Sequence, residues 1–421
     1  MPVKYYWFYL EPYVYTSIKG NDLLLYNTLT GKFLSYIDRP RLKELLLDLN
    51  RKENLYALKL SREFFRNNGL EDFIDDILEY FMGDLIDVSL TGKKPFIMPP
   101  YFDVREKNSG RQRRTFKNVS KDSLFSINEL TFFVNSRCDN NCTVCQTACK
   151  QFLWCTREKS NCELKIEEIK EILDQTKGCP IKNINIIGGD LTRYPNLNQL
   201  VELLCCGSFN AYYYFHLSHL KNGIPAAIRA AGLQANVILL VECSILENPG
   251  DLEQLKGLAP VKLIYLIQRE EEIPILEGVI EDLQTGNISV QPYFNGHNFD
   301  FLKANVFTDL DSLGENILDL WAIKARKSYN TLDYGKLFIK SNKNIYSGLS
   351  GTPLGTVGDI SMDTAVVSEL SKQGNWLRVR CDVTPCKDCL FNSICPPLSN
   401  IETAVGINNS CNIWEDHRTL K

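Results

Sequence analysis

The sequence predicts an α/β protein: a partial (β/α)6 TIM-like barrel, preceded by a winged-helix-like domain and followed by a cysteine-rich extension. Three observations lead there. At 421 residues the chain exceeds one ordinary core, so two or three domains are expected. Strand-like and helix-like stretches alternate from about residue 127 to 330, the pattern of a parallel sheet with helices outside. The 15 cysteines cluster, six between Cys138 and Cys162 and five between Cys381 and Cys411.

Residues 1–92 read as strands followed by helices. KYYWFYL, YVYTSI and LLLYNTLTGKFLSYI suggest a short antiparallel sheet, and PRLKELLLDLN and LEDFIDDILEYFMG carry apolar residues at helical spacing. Residues 93–126 are rich in Pro, Gly, Ser and charge and read as a linker; Arg111, Arg113 and Arg114 form a solvated charge run or a docking site. From 127 to 330 the expected strands are ELTFFVN, KNINIIGG, AYYYFHLS, NVILLVECS, VKLIYLIQ and NISVQPYF. Between them fall the helical stretches KIEEIKEILDQT, NLNQLVELLCC, IPAAIRAAG and IPILEGVIEDLQ. Six such units suit a partial barrel, whose ligands sit at the C-terminal ends of the strands. Residues 331–421 are less regular and end in the second cysteine group, expected to organise a metal-held appendage.

Composition narrows the function. With 44% hydrophobic and 23% charged residues the profile is that of an ordinary globular protein, and a net charge of −4 argues against a general nucleic-acid binder. No apolar run is long enough to span a bilayer, and MPVKYYWFYLEPY lacks a signal-peptide layout, which predicts a cytoplasmic location. Cysteines in that compartment should be thiols, and their clustering points to metal. The four histidines (His216, His219, His297, His417) lie outside the cysteine clusters, so all-thiolate sites are expected, either iron–sulfur or four-cysteine zinc.

Cys138, Cys142 and Cys145 stand in SRCDNNCTVC as CxxxCxxC, directly after the first barrel strand. Three thiolates on one loop can hold three irons of a 4Fe-4S cluster and leave the fourth open for cofactor chemistry; a zinc site or a structural cluster is the alternative. Cys149, Cys155 and Cys162 read as thiols packed nearby or as a zinc knuckle. Cys179, Cys205, Cys206 and Cys243 read as core residues. Cys386, Cys389, Cys395 and Cys411 could complete a four-thiolate shell, for a structural or electron-transfer cluster or for zinc, with Cys381 unassigned.

The CxxxCxxC loop after the first strand of a βα series resembles the radical S-adenosylmethionine (SAM) superfamily. That resemblance implies a 4Fe-4S cluster on Cys138, Cys142 and Cys145 whose open iron chelates SAM, and reductive cleavage to a 5′-deoxyadenosyl radical that abstracts hydrogen. It also implies that Gly188, Gly189 and Asp190, ending NINIIGGD, bind the SAM amino group, since glycines admit close backbone approach and an acid pairs with an ammonium; a plain turn is the alternative. Two positions depart from the pattern. Val144 stands where an aromatic residue usually packs on adenine, and Asp190 stands for Glu, shorter by about 1.5 Å.

The second cysteine group resembles the SPASM extension of peptide-modifying radical SAM enzymes. There the family usually has two auxiliary clusters; Ser399 replaces one cysteine of the other cluster and KLFIKSNKNIYSG has none, so one auxiliary 4Fe-4S cluster is implied. LLLYNTLTGKFLSYI with its leucine-rich helix resembles the leader-recognition element of ribosomal-peptide maturases, which takes a precursor's leader as an added strand; a plain winged-helix packing domain is the alternative. The whole chain resembles the Bacteroidales-type pseudo-radical-SAM SPASM proteins, on KYYWFYLEPYVY, KQFLWCT, INIIGGD, ICPPLSN and NNSC. The resemblance implies a maturase that modifies a ribosomally made precursor peptide with SAM and a reductant protein such as a flavodoxin or ferredoxin. Its alternatives are a catalytically silent partner that presents the peptide to a companion maturase, and a zinc-stabilised scaffold.

Overall fold

The computed structural model describes residues 3–95, 97, 123–140, 142, 144–157, 161–220, 223–232, 235–242, 261–283, 287–372 and 374–413. Arg111, Arg113, Arg114, most of the expected linker, Cys243 and His417 lie outside these residues.

The N-terminal region holds two small sheets where one was expected. The meander β2 (Val14–Lys19), β3 (Asp22–Asn27) and β4 (Phe33–Tyr36) forms one, with Tyr15 opposite Tyr26 and Leu24 opposite Ser35. In the other, β1 (Tyr5–Leu10) lies antiparallel between β5 (Leu58–Ser61) and β6 (Gly83–Asp87). The strands LKLS and GDLID were not expected, because four or five residues with one or two apolar positions give little periodic signal. Helix α1 (Pro40–Leu49) starts on Pro40, whose missing N–H costs nothing in a first turn, and buries Leu42, Leu45, Leu46 and Leu49. After α2 (Arg62–Asn67), helix α3 (Glu71–Glu79) buries Phe73, Ile74 and Ile77 in the same core.

The meander feeds two cores, because alternate residues of a strand face opposite sides. Leu23 and Leu25 face α1 and α3, whereas Leu24 and Tyr26 face the C-terminal region and pack with Leu318, Leu390, Phe391 and Ile394. The Tyr26 hydroxyl accepts from Leu318 N at 2.9 Å, and the Phe33 and Phe391 rings meet edge to face at 5.7 Å.

All six expected strands of the central region are present: β7 (Glu129–Phe133), β8 (Asn183–Ile187), β9 (Asn210–His216), β10 (Ala235–Glu242), β11 (Val261–Ile267) and β12 (Ile288–Pro292). They run parallel in sequence order, with Leu130 beside Ile184 and Leu240 beside His216. The sheet also continues past β7. Strand β13 (Lys336–Ile339) pairs parallel with it, and β14 (Asn344–Tyr346) and β15 (Gly355–Thr356) add antiparallel, giving nine strands among the described residues. Three consecutive apolar residues, Leu337, Phe338 and Ile339, allow this, since a strand inside a parallel sheet must be apolar on both faces.

Both faces are covered. On the outer face α5 (Ile166–Gln175), α6 (Leu197–Cys205) and α7 (Ala226–Ala231) pack on Ile184, Ile186, Phe215, Leu239 and Val241. On the inner face Phe133, Ile187, Tyr214, Ile238 and Leu240 pack against the segment that follows β7. No helix among the described residues is long and apolar enough to cross a membrane.

Candidate metal and cofactor site

The loop after β7 carries Cys138, Cys142 and Cys145 at the C-terminal end of that strand. Cys145 opens a single helical turn, α4 (Cys145–Ala148), so its thiol is held while Cys138 and Cys142 stay half-buried. The Cys145 sulfur accepts from Arg157 N at 3.2 Å. Burial pushes all three thiols up, Cys142 to about 12, with the Glu242 carboxylate and the other two sulfurs adding to the effect there. A thiol held protonated in this way releases its proton to solvent when a metal cation binds the sulfur in its place, so the three side chains are chemically suited to metal and inert without it.

The stretch after β8 is laced to this loop. Gly189 N donates to both the backbone and side-chain oxygens of Asn135 at 3.0 Å, Asp190 N donates to Arg137 O, and Asn135 Nδ2 donates to Asp190 O at 2.8 Å. The two glycines are required by space: a Cβ on Gly188 would overlap the Asn135 side chain, and one on Gly189 would overlap the Arg137 carbonyl. The Asp190 carboxylate caps the turn Leu191–Arg193, accepting from Thr192 N at 3.0 Å and Thr192 Oγ1 at 2.6 Å, and it pairs with Arg193 Nε at 3.4 Å. A short acidic side chain is the better cap, which gives Asp at this position a local reason.

The surroundings of this loop are not thiol alone. His219 Nε2 lies 3.2 Å from the Cys138 sulfur, and His216 and Glu242 stand beside Cys142 with all three ligand atoms within 4.8 Å of one another. Sequence distance hid this, because His216 ends β9 and Glu242 ends β10, some 70 to 100 residues after the cysteines. The HLSH stretch at the C-terminal end of an expected strand was the available signal. Burial lowers the His219 pKa to about 4, opposed by Asp190, so its ring is neutral at pH 7. His216 is 1% exposed; its Nδ1 meets Ser218 Oγ at 2.6 Å and its Nε2 meets Glu242 Oε1 at 3.2 Å.

The KQFLWC segment fills the inner face. Trp154 is fully buried and edge-on to His216 at 6.0 Å, and Val144, Ala148, Cys149 and Cys155 pack beside it on Phe133, Ile187, Tyr214 and Leu240. Gln151 fastens the segment to the end of β12, donating to Phe294 O and accepting from Phe294 N, both at 2.8 Å. Cys149 and Cys155 are thus packed thiols, whereas Cys162 is half-buried beside Ser136. Of the cysteines expected in the core, Cys206 is exposed and Cys179 and Cys205 are half-buried. Cys206 caps the C-terminus of α6 and Cys179 lies in the turn after α5, where chain ends face water.

The second group also comes together in space. Cys386, Cys389, Cys395 and Cys411 line one small enclosed cavity with Arg380, Asn392 and Thr308. Among the described residues Cys142, His216 and Glu242 form a ligand set within 4.8 Å of one another. Arg380, itself buried, donates from Nη1 to Glu402 Oε1 at 2.9 Å and to the Cys386 sulfur at 3.6 Å. Cys381 has its thiol pushed up by burial and does not line the cavity.

Fold and site together describe a parallel βα sheet with a three-cysteine loop at its C-terminal edge and a four-cysteine cavity beyond it. No protein-family model matches the chain, and no curated protein does. Solved structures that it resembles include SuiB of Streptococcus suis bound to the precursor peptide SuiA, at 14% identity and a TM-score of 0.46. They also include SuiB bound to S-adenosylmethionine, at 14% and 0.43, and SuiB alone, at 13% and 0.44. Each covers 92% of this chain and 94% of the SuiB chain.

Proposed function

We propose that the chain is a radical SAM peptide maturase that binds the leader of a ribosomally made precursor peptide and modifies its core. The observation that carries this reading is the lacing of the Gly188–Asp190 stretch to the CxxxCxxC loop through Asn135 and Arg137. Three thiols and a close-approach glycine pair thereby share one strand edge. In this reading Cys138, Cys142 and Cys145 hold a 4Fe-4S cluster, and Val144, Gly188, Gly189 and Asp190 contact SAM. When bound, the cluster supplies the electron that cleaves SAM to a 5′-deoxyadenosyl radical, the agent of hydrogen abstraction. The protein's part is to hold cofactor and target hydrogen in line and to exclude water. Cys386, Cys389, Cys395 and Cys411, which line one cavity, would hold one auxiliary 4Fe-4S cluster. The leader would add to β4, which has a strand partner on one side only among the described residues. A flavodoxin- or ferredoxin-like reductant completes the system.

A second reading, a silent partner that presents peptide to a companion maturase, is favoured by Trp154. Its ring and its neighbours occupy the inner face beside the cysteine loop, and Asp190 is already engaged as a cap. Anaerobic reconstitution with iron and sulfide, followed by reduction in the presence of SAM, separates the two. Formation of 5′-deoxyadenosine that is lost in Cys142→Ala supports the enzyme; a full iron complement with SAM left intact supports the partner. Zinc retained without iron uptake sinks both.

A further inference from the structure

We infer that Cys142, His216 and Glu242 form a mononuclear site for a zinc-like divalent metal, whose ligand set shares only Cys142 with a cluster on the three cysteines. Their sulfur, nitrogen and oxygen atoms all lie within 4.8 Å of one another. Ligands around one tetrahedral zinc sit roughly 3.5 Å apart, so contraction by about 1 Å closes the site. Each ligand comes from a different element: the loop after β7, the last residue of β9 and the last residue of β10. The parallel sheet brings these ends to one edge, which fixes their spacing without help from metal.

The surroundings are arranged for ligation. Ser218 Oγ, which also accepts from Asn140 Nδ2, engages His216 Nδ1 and leaves Nε2 directed at Glu242 and the site. A hydrogen bond on the far ring nitrogen sets both tautomer and orientation in metal-binding histidines. Trp154 holds the ring from the side, and His216 is shielded from water. Mixed thiolate, imidazole and carboxylate donors suit zinc, and three protein ligands leave one position open to water or another ligand. Because Cys142 belongs to both sets, metal here and a cluster on Cys138, Cys142 and Cys145 exclude each other. The inference concerns the chain without a cluster on this loop and so does not rest on the maturase reading.

The test uses the full chain, stripped of metal under anaerobic conditions and titrated with Co2+, whose thiolate charge-transfer absorption reports a cobalt–sulfur bond. Any cobalt bound by the four-cysteine cavity is common to wild type and variants, so the reading is the difference between them. Cys142→Ala and His216→Ala should each bind one cobalt fewer per chain than wild type, and Glu242→Gln should bind it at least about tenfold more weakly. The double variant Cys138→Ala, Cys145→Ala, which cannot hold a cluster on this loop, should keep the full count. If His216→Ala fails to fold by circular dichroism, the near-isosteric Glu242→Gln decides. Equal cobalt in wild type and Cys142→Ala, or loss of one cobalt in the double variant, overturns the inference. A wild type that cleaves SAM yet shows no Cys142-dependent cobalt refutes this site and leaves the maturase reading standing.

Discussion

At Gly189 the chain has no space for a side chain, because a Cβ would enter the Arg137 carbonyl that faces it. Gly189→Ala should therefore cost about 2 kcal/mol of stability, read by urea unfolding, and should loosen iron uptake by the adjacent loop. An unchanged denaturation midpoint would show that the two loops can part at no cost. Asp333 makes a different kind of prediction. Burial raises its pKa to about 6, against the pull of Lys336 and with a further push from Glu369. The folded protein then holds a proton that the unfolded chain, titrating near 4, has released. The sign follows: stability from this group is complete below about pH 4 and is lost as the pH rises through 6. Asp333→Asn should gain on wild type by on the order of 2 kcal/mol between pH 4 and 7 in unfolding experiments at graded pH. A gap independent of pH would mean that the carboxyl titrates normally.

Among the elements, the short helix α8 (Asn400–Val405) shows how one side chain organises a segment. Glu402 is wholly buried, and its carboxylate accepts from Ser399 N at 2.7 Å, Ser410 N at 2.8 Å and Arg380 Nη1 at 2.9 Å. Burial works against its charge, yet Arg380 and these donors hold its pKa below the usual carboxylate value. The pair thus ties the helix start to the four-cysteine cavity that Arg380 lines. Glu402→Gln leaves a buried guanidinium unpaired and should destabilise by about 3 kcal/mol in chemical denaturation. The same variant should lose bound metal faster to a chelator. Elements of this length were the hardest to read: α8 and β13 hold too few residues for a period to declare itself, whereas the six βα strands and α5 announced themselves through apolar runs and helical spacing.

For the whole molecule, the N-terminal meander is the joint. Phe391, 1% exposed, stands edge-on to Phe33 and within the cluster that unites β3 with the C-terminal region. Phe391→Ala should cost about 3 kcal/mol, and hydrogen exchange should show β2 to β4 opening before the parallel sheet does. Simultaneous protection loss throughout would instead mark one cooperative unit. The sequence by itself determined the parallel βα series and the two cysteine groups, because periodicity and spacing are local properties. It also placed Cys138, Cys142 and Cys145 after a strand and Gly188 to Asp190 after the next. Tertiary structure alone decided that His216, His219 and Glu242 join the first group, that Trp154 fills the inner face, and that Leu24 and Tyr26 serve a second core. These are meetings between residues up to several hundred positions apart, and adjacency of strand ends in a sheet leaves no trace in the periodicity of any one strand.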